Sequence, residues 1–236
     1  MLNIFLGGKT TKNYIAELIG SMLLVMVGVG SLVFIEASGI GVVGVGFAFA
    51  IIVIAMVYTI GPISGCHINP AVSIGVWAIK GMETKDMVIY VIMQIIGGII
   101  GAAVLYFVWM DAHTVLGSFG TVFYSDPKVA GAYGIASVFV IEIIIAFILQ
   151  IVILGSLGNK GNEALAGVAI GLTVGALIFF TGGIDGAGLN PIRSLSPAVF
   201  VSGTAITQAI VISIANIIGA VIGSFGFKWM ATPKKA

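Results

Sequence analysis

Charge is what this chain has least of. Asp, Glu, Lys and Arg make up 8% of its 236 residues, against about 25% in a soluble domain. A chain so poor in charge cannot present a water-wetted surface on every side, which excludes an ordinary soluble domain. Ten basic and nine acidic residues leave a net charge of +1. There is no basic run, so nothing suggests nucleic acid as a partner. The single cysteine, Cys66, excludes an intramolecular disulfide and a cysteine-based metal cluster. His67 and His113 are too far apart to argue a metal site. No nucleophile–base pair or cofactor motif marks an enzyme. Neither a metal nor a cofactor is expected.

Hydrophobic residues fill the space that charge leaves, at 59% of the chain, with a mean hydropathy of +1.21. The apolar stretches reach about 20 residues, the length that crosses a bilayer as a helix and too long for barrel strands. Six such spans are predicted, at roughly 13–35, 41–60, 87–109, 134–156, 163–181 and 206–229. Two shorter apolar stretches, at about 69–79 and 190–200, suit re-entrant half-helices. Lys9 and Lys12 precede the first span without a cleavage-like site, so a removable signal peptide is not expected. The expected fold is an all-α membrane protein lodged in the lipid bilayer as one transmembrane domain over 1–236.

Six spans put both termini on one side, with the connections near 80–86 and 156–162. That side holds Lys9, Lys12, Lys80, Lys85, Lys160, Lys228, Lys234 and Lys235. The other side holds Lys128, and Arg193 sits in a re-entrant segment. The imbalance predicts cytoplasmic termini.

The halves of the chain resemble each other. Glu17 lies early in the first span in Tyr-Ile-Ala-Glu-Leu-Ile, and Glu142 early in the fourth in Val-Ile-Glu-Ile-Ile-Ile. Asn69-Pro70-Ala71 recurs as Asn190-Pro191-Ile192. Gln94-Ile-Ile-Gly-Gly-Ile-Ile-Gly-Ala recurs as Asn216-Ile-Ile-Gly-Ala-Val-Ile-Gly-Ser. The offsets are 125, 121 and 122 residues. Each repeat has three spans, an odd number, so the second enters the membrane from the opposite face. Repeat one covers about 13–109, a loop about 110–133, and repeat two about 134–229. Asn is a preferred N-cap and Pro suits the first helical position. Each Asn-Pro therefore starts a half-helix, and the inverted repeat points the two starts at each other near the midplane. Glycine, at 34 residues, is about twice as common as usual. Its four-residue spacing at Gly97/Gly101, Gly219/Gly223 and Gly167/Gly171/Gly175 lets helices approach closely in lipid.

At Ser64-Gly-Cys-His-Ile-Asn-Pro-Ala-Val-Ser and Gly186-Ala-Gly-Leu-Asn-Pro-Ile-Arg-Ser-Leu-Ser-Pro-Ala the chain resembles the aquaporin family, the major intrinsic proteins. The resemblance covers about residues 13 to 229. It implies a right-handed bundle of six transmembrane helices and two half-helices in an inverted 3+3 repeat. It also implies a homotetramer in the cell membrane with one pore per protomer, passing water and small neutral solutes. Physical chemistry points the same way. Two helix N-termini carry about half an elementary charge each. At ~4 Å and an effective dielectric near 20 each repels a monovalent cation by ~2 kcal/mol. The amides of Asn69 and Asn190 can donate to a passing oxygen. By resemblance, the backbone carbonyls of Gly65, Cys66, His67, Gly186, Ala187 and Gly188 form a ladder that replaces the solute's hydration.

Arg193 lies in apolar surroundings, and an intramembrane arginine points to a functional site. The family motif places Phe49, Ile178 and Ala187 beside it as a selectivity filter. Strict water channels of the family carry His at the Ile178 position. Glycerol channels carry Gly there and a second aromatic at the Ala187 position. This ring meets neither pattern and is similar to that of archaeal members. Glycerol-conducting relatives usually carry Asp after the filter Arg and a basic residue four positions later. Here those positions are Ser194 and Ala198, which favours water. Glu17 and Glu142 are expected to accept hydrogen bonds from the re-entrant backbone. Cys66 corresponds to Ala187 by pseudo-symmetry and is expected beside the path, and Asp185 at the mouth. Ile192 departs from Asn-Pro-Ala and bears on the central pore width. Met82 to Asp86 read as a short turn, and the long 110–133 connection as folded over the extracellular mouth. A glycerol and polyol facilitator, a secondary transporter and a non-conducting structural protein are the competing functions.

Overall fold

The computed structural model describes residues 9–34, 39–111, 119–125, 133–158 and 161–232. His113, Lys128, Lys160 and much of the 110–133 connection lie outside the described residues. Among the described residues eight helical units carry the fold: α1 (Thr11–Val33), α2 (Gly41–Ser64), α3 (Pro70–Ala78), α4 (Thr84–Asp111), α5 (Ile135–Leu157), α6 (Glu163–Asp185), α7 (Pro191–Val201) and α8 (Thr204–Ala231). Six of them are long and apolar enough to cross a membrane. The nine residues of α3 and the eleven of α7 are the re-entrant half-helices.

Two spans run four residues further than the apolar runs predict. The apolar runs end just before Gly61-Pro62 and Gly182-Gly183, pairs that break helices in water. Inside a membrane a helix continues through them, since the alternative leaves backbone groups unpaired in apolar surroundings. The true stops are Gly65 and Gly186, both left-handed at φ +88°, whose N–H groups close on the carbonyls of Gly61 and Gly182. At these positions glycine adopts a conformation costly to other residues. The fourth helix also starts earlier than expected, at Thr84. It buries Asp86, whose carboxylate accepts from the Tyr14 hydroxyl at 2.7 Å. A further departure is a π-helical turn at Val25–Val29 in α1, which apolar periodicity cannot reveal.

The inverted repeat governs the packing. α1 crosses α4, α5 crosses α8, and α2 joins α6 across the two halves. A Cβ on Gly97 would lie 2.1 Å from the Leu18 carbonyl oxygen, and one on Gly219 would lie 2.2 Å from that of Ile143. These are matched positions of the two repeats. Helices this close gain dispersion contacts that water cannot supply in lipid. The half-helix α3 lies against α8 and α7 against α4, so each is held by the last long helix of the other repeat. Many large apolar side chains face outward, among them Ile51, Phe107, Phe180 and Trp229. That surface suits a bilayer, and the chain is an integral membrane protein.

Candidate functional site

The half-helices meet at their N-termini through a reciprocal pair of hydrogen bonds. Asn69 Oδ1 accepts from its own helix at Ala71 N, 2.9 Å, and Asn190 Oδ1 from Ile192 N, 3.0 Å. These caps fix which end of each amide is oxygen. Each Nδ2 then donates to the opposite loop: Asn69 to the Leu189 carbonyl at 3.0 Å, Asn190 to that of Ile68 at 2.9 Å. The sequence reading left both amides free. One N–H of each is in fact committed to the partner repeat, and one remains to donate to a solute.

Each half-helix is entered through a stretch that turns its N–H groups to one side. Cys66 (φ +50°), Ile68 (+41°), Ala187 (+58°) and Leu189 (+58°) are all left-handed. Such residues cost of order 1–3 kcal/mol each, and here two successive N–H groups of each stretch converge on one point, an anion-binding concavity. Glu17 fills the first: Oε1 accepts from His67 N at 2.9 Å and Oε2 from Ile68 N at 2.6 Å. Glu142 fills the second, accepting from Gly188 N and Leu189 N. Both carboxylates are fully buried. A second tier supports each: Gln94 Nε2 donates to Glu17 at 2.7 Å, and Asn216 Nδ2 donates to Glu142. With the amides turned towards the carboxylates, carbonyls are left for the opposite side.

That side is a cavity of about 60 Å³, room for roughly four to six waters at ~10–15 Å³ each. Gly65, Cys66, His67, Asn69, Ala187, Gly188 and Asn190 line it, as do Phe49, Ile178 and Arg193. The other wall is aliphatic, built from Leu24, Val53, Leu149, Ile153 and Val174, none of which the sequence singles out. Three expected residues stand differently. Gly186 does not line the cavity, and its carbonyl accepts from Arg193 Nη2 at 2.9 Å. The Gly188 carbonyl accepts from Asn190 N at 2.6 Å. The ring of His67 packs edge-on against Tyr90, centroids 5.3 Å apart, with Nδ1 3.0 Å from Ser73 Oγ. Pro70, Ala71 and Pro191 are buried in the half-helix starts.

Arg193 is 2% exposed. Nη1 donates to the Gly120 carbonyl at 2.9 Å, Nη2 to Gly186, and Nε has no protein partner. The guanidinium carbon stands 5.9 Å from the centre of the Phe49 ring. Phe49 in turn lies over Gly28 in the π-helical turn of α1, where a Cβ would come within 2.3 Å of the ring. Gly120 and Gly28 therefore help to place Arg193 and Phe49 where they line the cavity, and no local sequence pattern announces either.

Ile192 is 1% exposed and does not line the cavity. It packs towards α4, where a Cβ on Gly98 would lie 2.4 Å from Ser196 Oγ, 3.3 Å from the Ile192 Cβ and 3.6 Å from its Cδ1. The matched positions of the other repeat are Ala71 and Ala220. A large–small pair thus replaces a medium–medium one, and the extra carbons lie away from the path. Gly98→Ala is expected to cost ~1–3 kcal/mol by overpacking and Ile192→Ala ~2–5 kcal/mol by leaving a void. Because Ser196 Oγ is the nearer obstacle and alanine keeps the Cβ of position 192, the double variant should lose close to the sum of the two, read from unfolding midpoints in detergent. Recovery of most of the Gly98→Ala loss would show instead that the outer carbons of Ile192 are what the added methyl meets.

The model of the family "Major intrinsic protein" matches residues 7–227. Aquaporin Z of Rhodopseudomonas palustris is 36% identical over 218 residues, covering 90% of each chain. Aquaporin Z of Photorhabdus laumondii is 36% identical over 228 residues, covering 93% of this chain and 97% of the relative. Among solved structures, the aquaglyceroporin from Plasmodium falciparum superposes with a TM-score of 0.79 over 93% of this chain and 96% of that one, at 21% identity, which shows a shared fold. With the family model spanning nearly the whole chain, the protein belongs to the major intrinsic protein family.

Proposed function

We propose that this protein is a passive membrane channel for water that also admits small neutral solutes and excludes ions and protons. The observation that carries the reading is the pair Asn69 and Asn190, each with one uncommitted N–H in a cavity walled by carbonyls on one side and aliphatic side chains on the other. Single-file water donates to the carbonyls and accepts from the two amides, while the aliphatic wall offers no competing partner. The relatives named Aquaporin Z support the water assignment.

Phe49, Ile178, Ala187 and Arg193 form the constriction in this reading, and Gly65, Cys66, His67, Ala187 and Gly188 supply carbonyls below and above it. The channel works as a homotetramer in the cell membrane with both termini cytoplasmic, as the distribution of lysines supports. One domain, divided near 109 and 134, carries the whole path. A secondary transporter is disfavoured, because a coupling ion needs available charge. Glu17 already accepts four hydrogen bonds.

Stopped-flow light scattering on proteoliposomes tests the reading. Fast shrinkage in a sucrose gradient without fast glycerol re-swelling is expected. Comparable rates for glycerol would make the protein a polyol facilitator, and empty-liposome rates in both would sink the channel. Cys66 lines the cavity at 9% exposure, so mercurials are expected to block shrinkage in the native protein and not in Cys66→Ala. Equal block in both would remove Cys66 from the path.

A further inference from the structure

The two repeats clamp their re-entrant loops with matching donors at every position but one. In repeat one the Glu17 carboxylate has four: His67 N, Ile68 N, Gln94 Nε2 and the Ser64 hydroxyl, the last at 2.6 Å. In repeat two Glu142 has the counterparts of three: Gly188 N, Leu189 N and Asn216 Nδ2. The fourth belongs to the residue 121 positions after Ser64, the offset that separates Asn69 from Asn190. That residue is Asp185.

Asp185 performs the rest of Ser64's role. Ser64 Oγ accepts from Cys66 N at 3.1 Å, and Asp185 Oδ1 accepts from Ala187 N at 2.8 Å. The neighbouring amide, Gly188 N, goes to Glu142, so the two carboxyl groups sit on consecutive N–H groups, as the Ser64 hydroxyl and the Glu17 carboxylate do in repeat one, where they are 2.6 Å apart. Asp185 is fully buried, and its Oδ2 has no partner. An ionised carboxylate can only accept. Two buried carboxylates side by side hold a shared proton rather than two charges.

We propose that Asp185 carries a proton on Oδ2 and donates it to the Glu142 carboxylate, so that one shared proton is the fourth clamp on the second re-entrant loop. The charged groups facing Asp185 are Glu142 from α5, the other member of the pair, and Arg193 from α7. The 119–125 segment, joined through Phe123 N to the Asp185 carbonyl at 3.0 Å, contributes Tyr124 as its titratable side chain, and α8 contributes neutral Asn216. The clamped loop carries Ala187 and the Gly186 carbonyl that holds Arg193. When bulk base removes the proton, two like charges push the Ala187 and Gly188 amides apart. The bare Asp185 carboxylate then competes with Gly186 and Gly120 for the guanidinium, and the ring loosens. Asp185 is thus a positioning residue that makes the constriction sensitive to alkaline pH.

The permeability consequence rests on the channel reading, whereas the proton does not. Infrared spectra of the purified protein in an ester-free detergent, compared in light and heavy water, read the proton directly. The native protein is expected to show a protonated-carboxyl carbonyl band at neutral pH that fades as pH rises. Asp185→Asn and Asp185→Ser, whose amide or hydroxyl supplies the donor instead, should lack it. Over the same pH interval the glycerol-to-water permeability ratio should rise several-fold in native proteoliposomes and stay flat in both variants. A missing band in the native protein, or one that survives in both variants, overturns the shared proton. A band that titrates while the native ratio stays flat overturns its link to the constriction. If no version conducts, the channel reading fails and the infrared result still decides the proton.

Discussion

Glu17→Ala is expected to yield protein of sharply reduced stability, with water permeability at the level of empty liposomes in whatever inserts. Four donors converge on this carboxylate, and two have alternatives. The Ser64 hydroxyl already lies 3.4 Å from the Ile60 carbonyl, and Gln94 keeps its bond to Ser73 at 3.0 Å. The amides of His67 and Ile68 donate to the carboxylate at 2.9 and 2.6 Å. Each buried donor left unpaired costs ~1–3 kcal/mol, so the pair costs roughly 2–6 kcal/mol. That is a large share of a typical folding free energy of about 5–15 kcal/mol. The left-handed backbone at Cys66 and Ile68 then has nothing to hold it, and the loop relaxes into the cavity it lines. Glu17→Gln should fall between, since its amide oxygen can serve one N–H while its amide nitrogen opposes the other. Thermal unfolding in detergent and stopped-flow permeability measure both parts. A Glu17→Ala channel as stable and as fast as the native one would show that the carboxylate does not hold the loop. Unaltered stability with altered proton flux would point to a proton relay.

The positions of the spans and half-helices were legible because membrane depth imposes coarse rules. Some 20 apolar residues cross the bilayer, and an Asn-Pro inside such sequence can only be a start. Helix ends were less legible, since Gly61-Pro62 and Gly182-Gly183 read as breaks by rules learned in water. The four polar donors on Glu17 were half visible. Gln94 and Asn216 stood out as matched repeat positions, but nothing in one dimension says that a side chain from the third span of each repeat reaches a carboxylate on its first. Asp185 shows what a full comparison of the repeats can reveal. Read alone it is an acid at the mouth; read opposite Ser64 it occupies a donor's place and is buried. Gly120 had no signal, because its contribution is a carbonyl that any residue carries. Gly28 matters through the absence of a Cβ beneath Phe49, visible only once α1 and α2 are packed.

Removing the guanidinium should have the largest effect on selectivity. Arg193→Ala is expected to raise proton and small-cation leak and to speed glycerol re-swelling, with water permeability conserved or increased. One unit charge at ~4 Å in an effective dielectric near 20 repels a monovalent cation by ~4 kcal/mol, equivalent to about a thousandfold in rate. The half-helix N-termini at Asn69 and Asn190 remain, so the barrier falls without vanishing. The side chain also fills space: with its hold on Gly120 and Gly186 gone, the ring is bounded by Phe49, Ile178 and Ala187 alone. Arg193→Lys separates the two contributions. Lysine keeps the charge, but its single ammonium cannot reproduce a planar fork donating to two carbonyls at fixed positions. It should hold back cations better than alanine does while admitting more glycerol than the native protein. A pH-sensitive dye inside proteoliposomes under an imposed potential reads the leak, and light scattering reads the glycerol. If Arg193→Ala leaked no more than the native protein, exclusion would rest on the half-helix dipoles. If its glycerol rate were also unchanged, the constriction would have to lie away from Arg193.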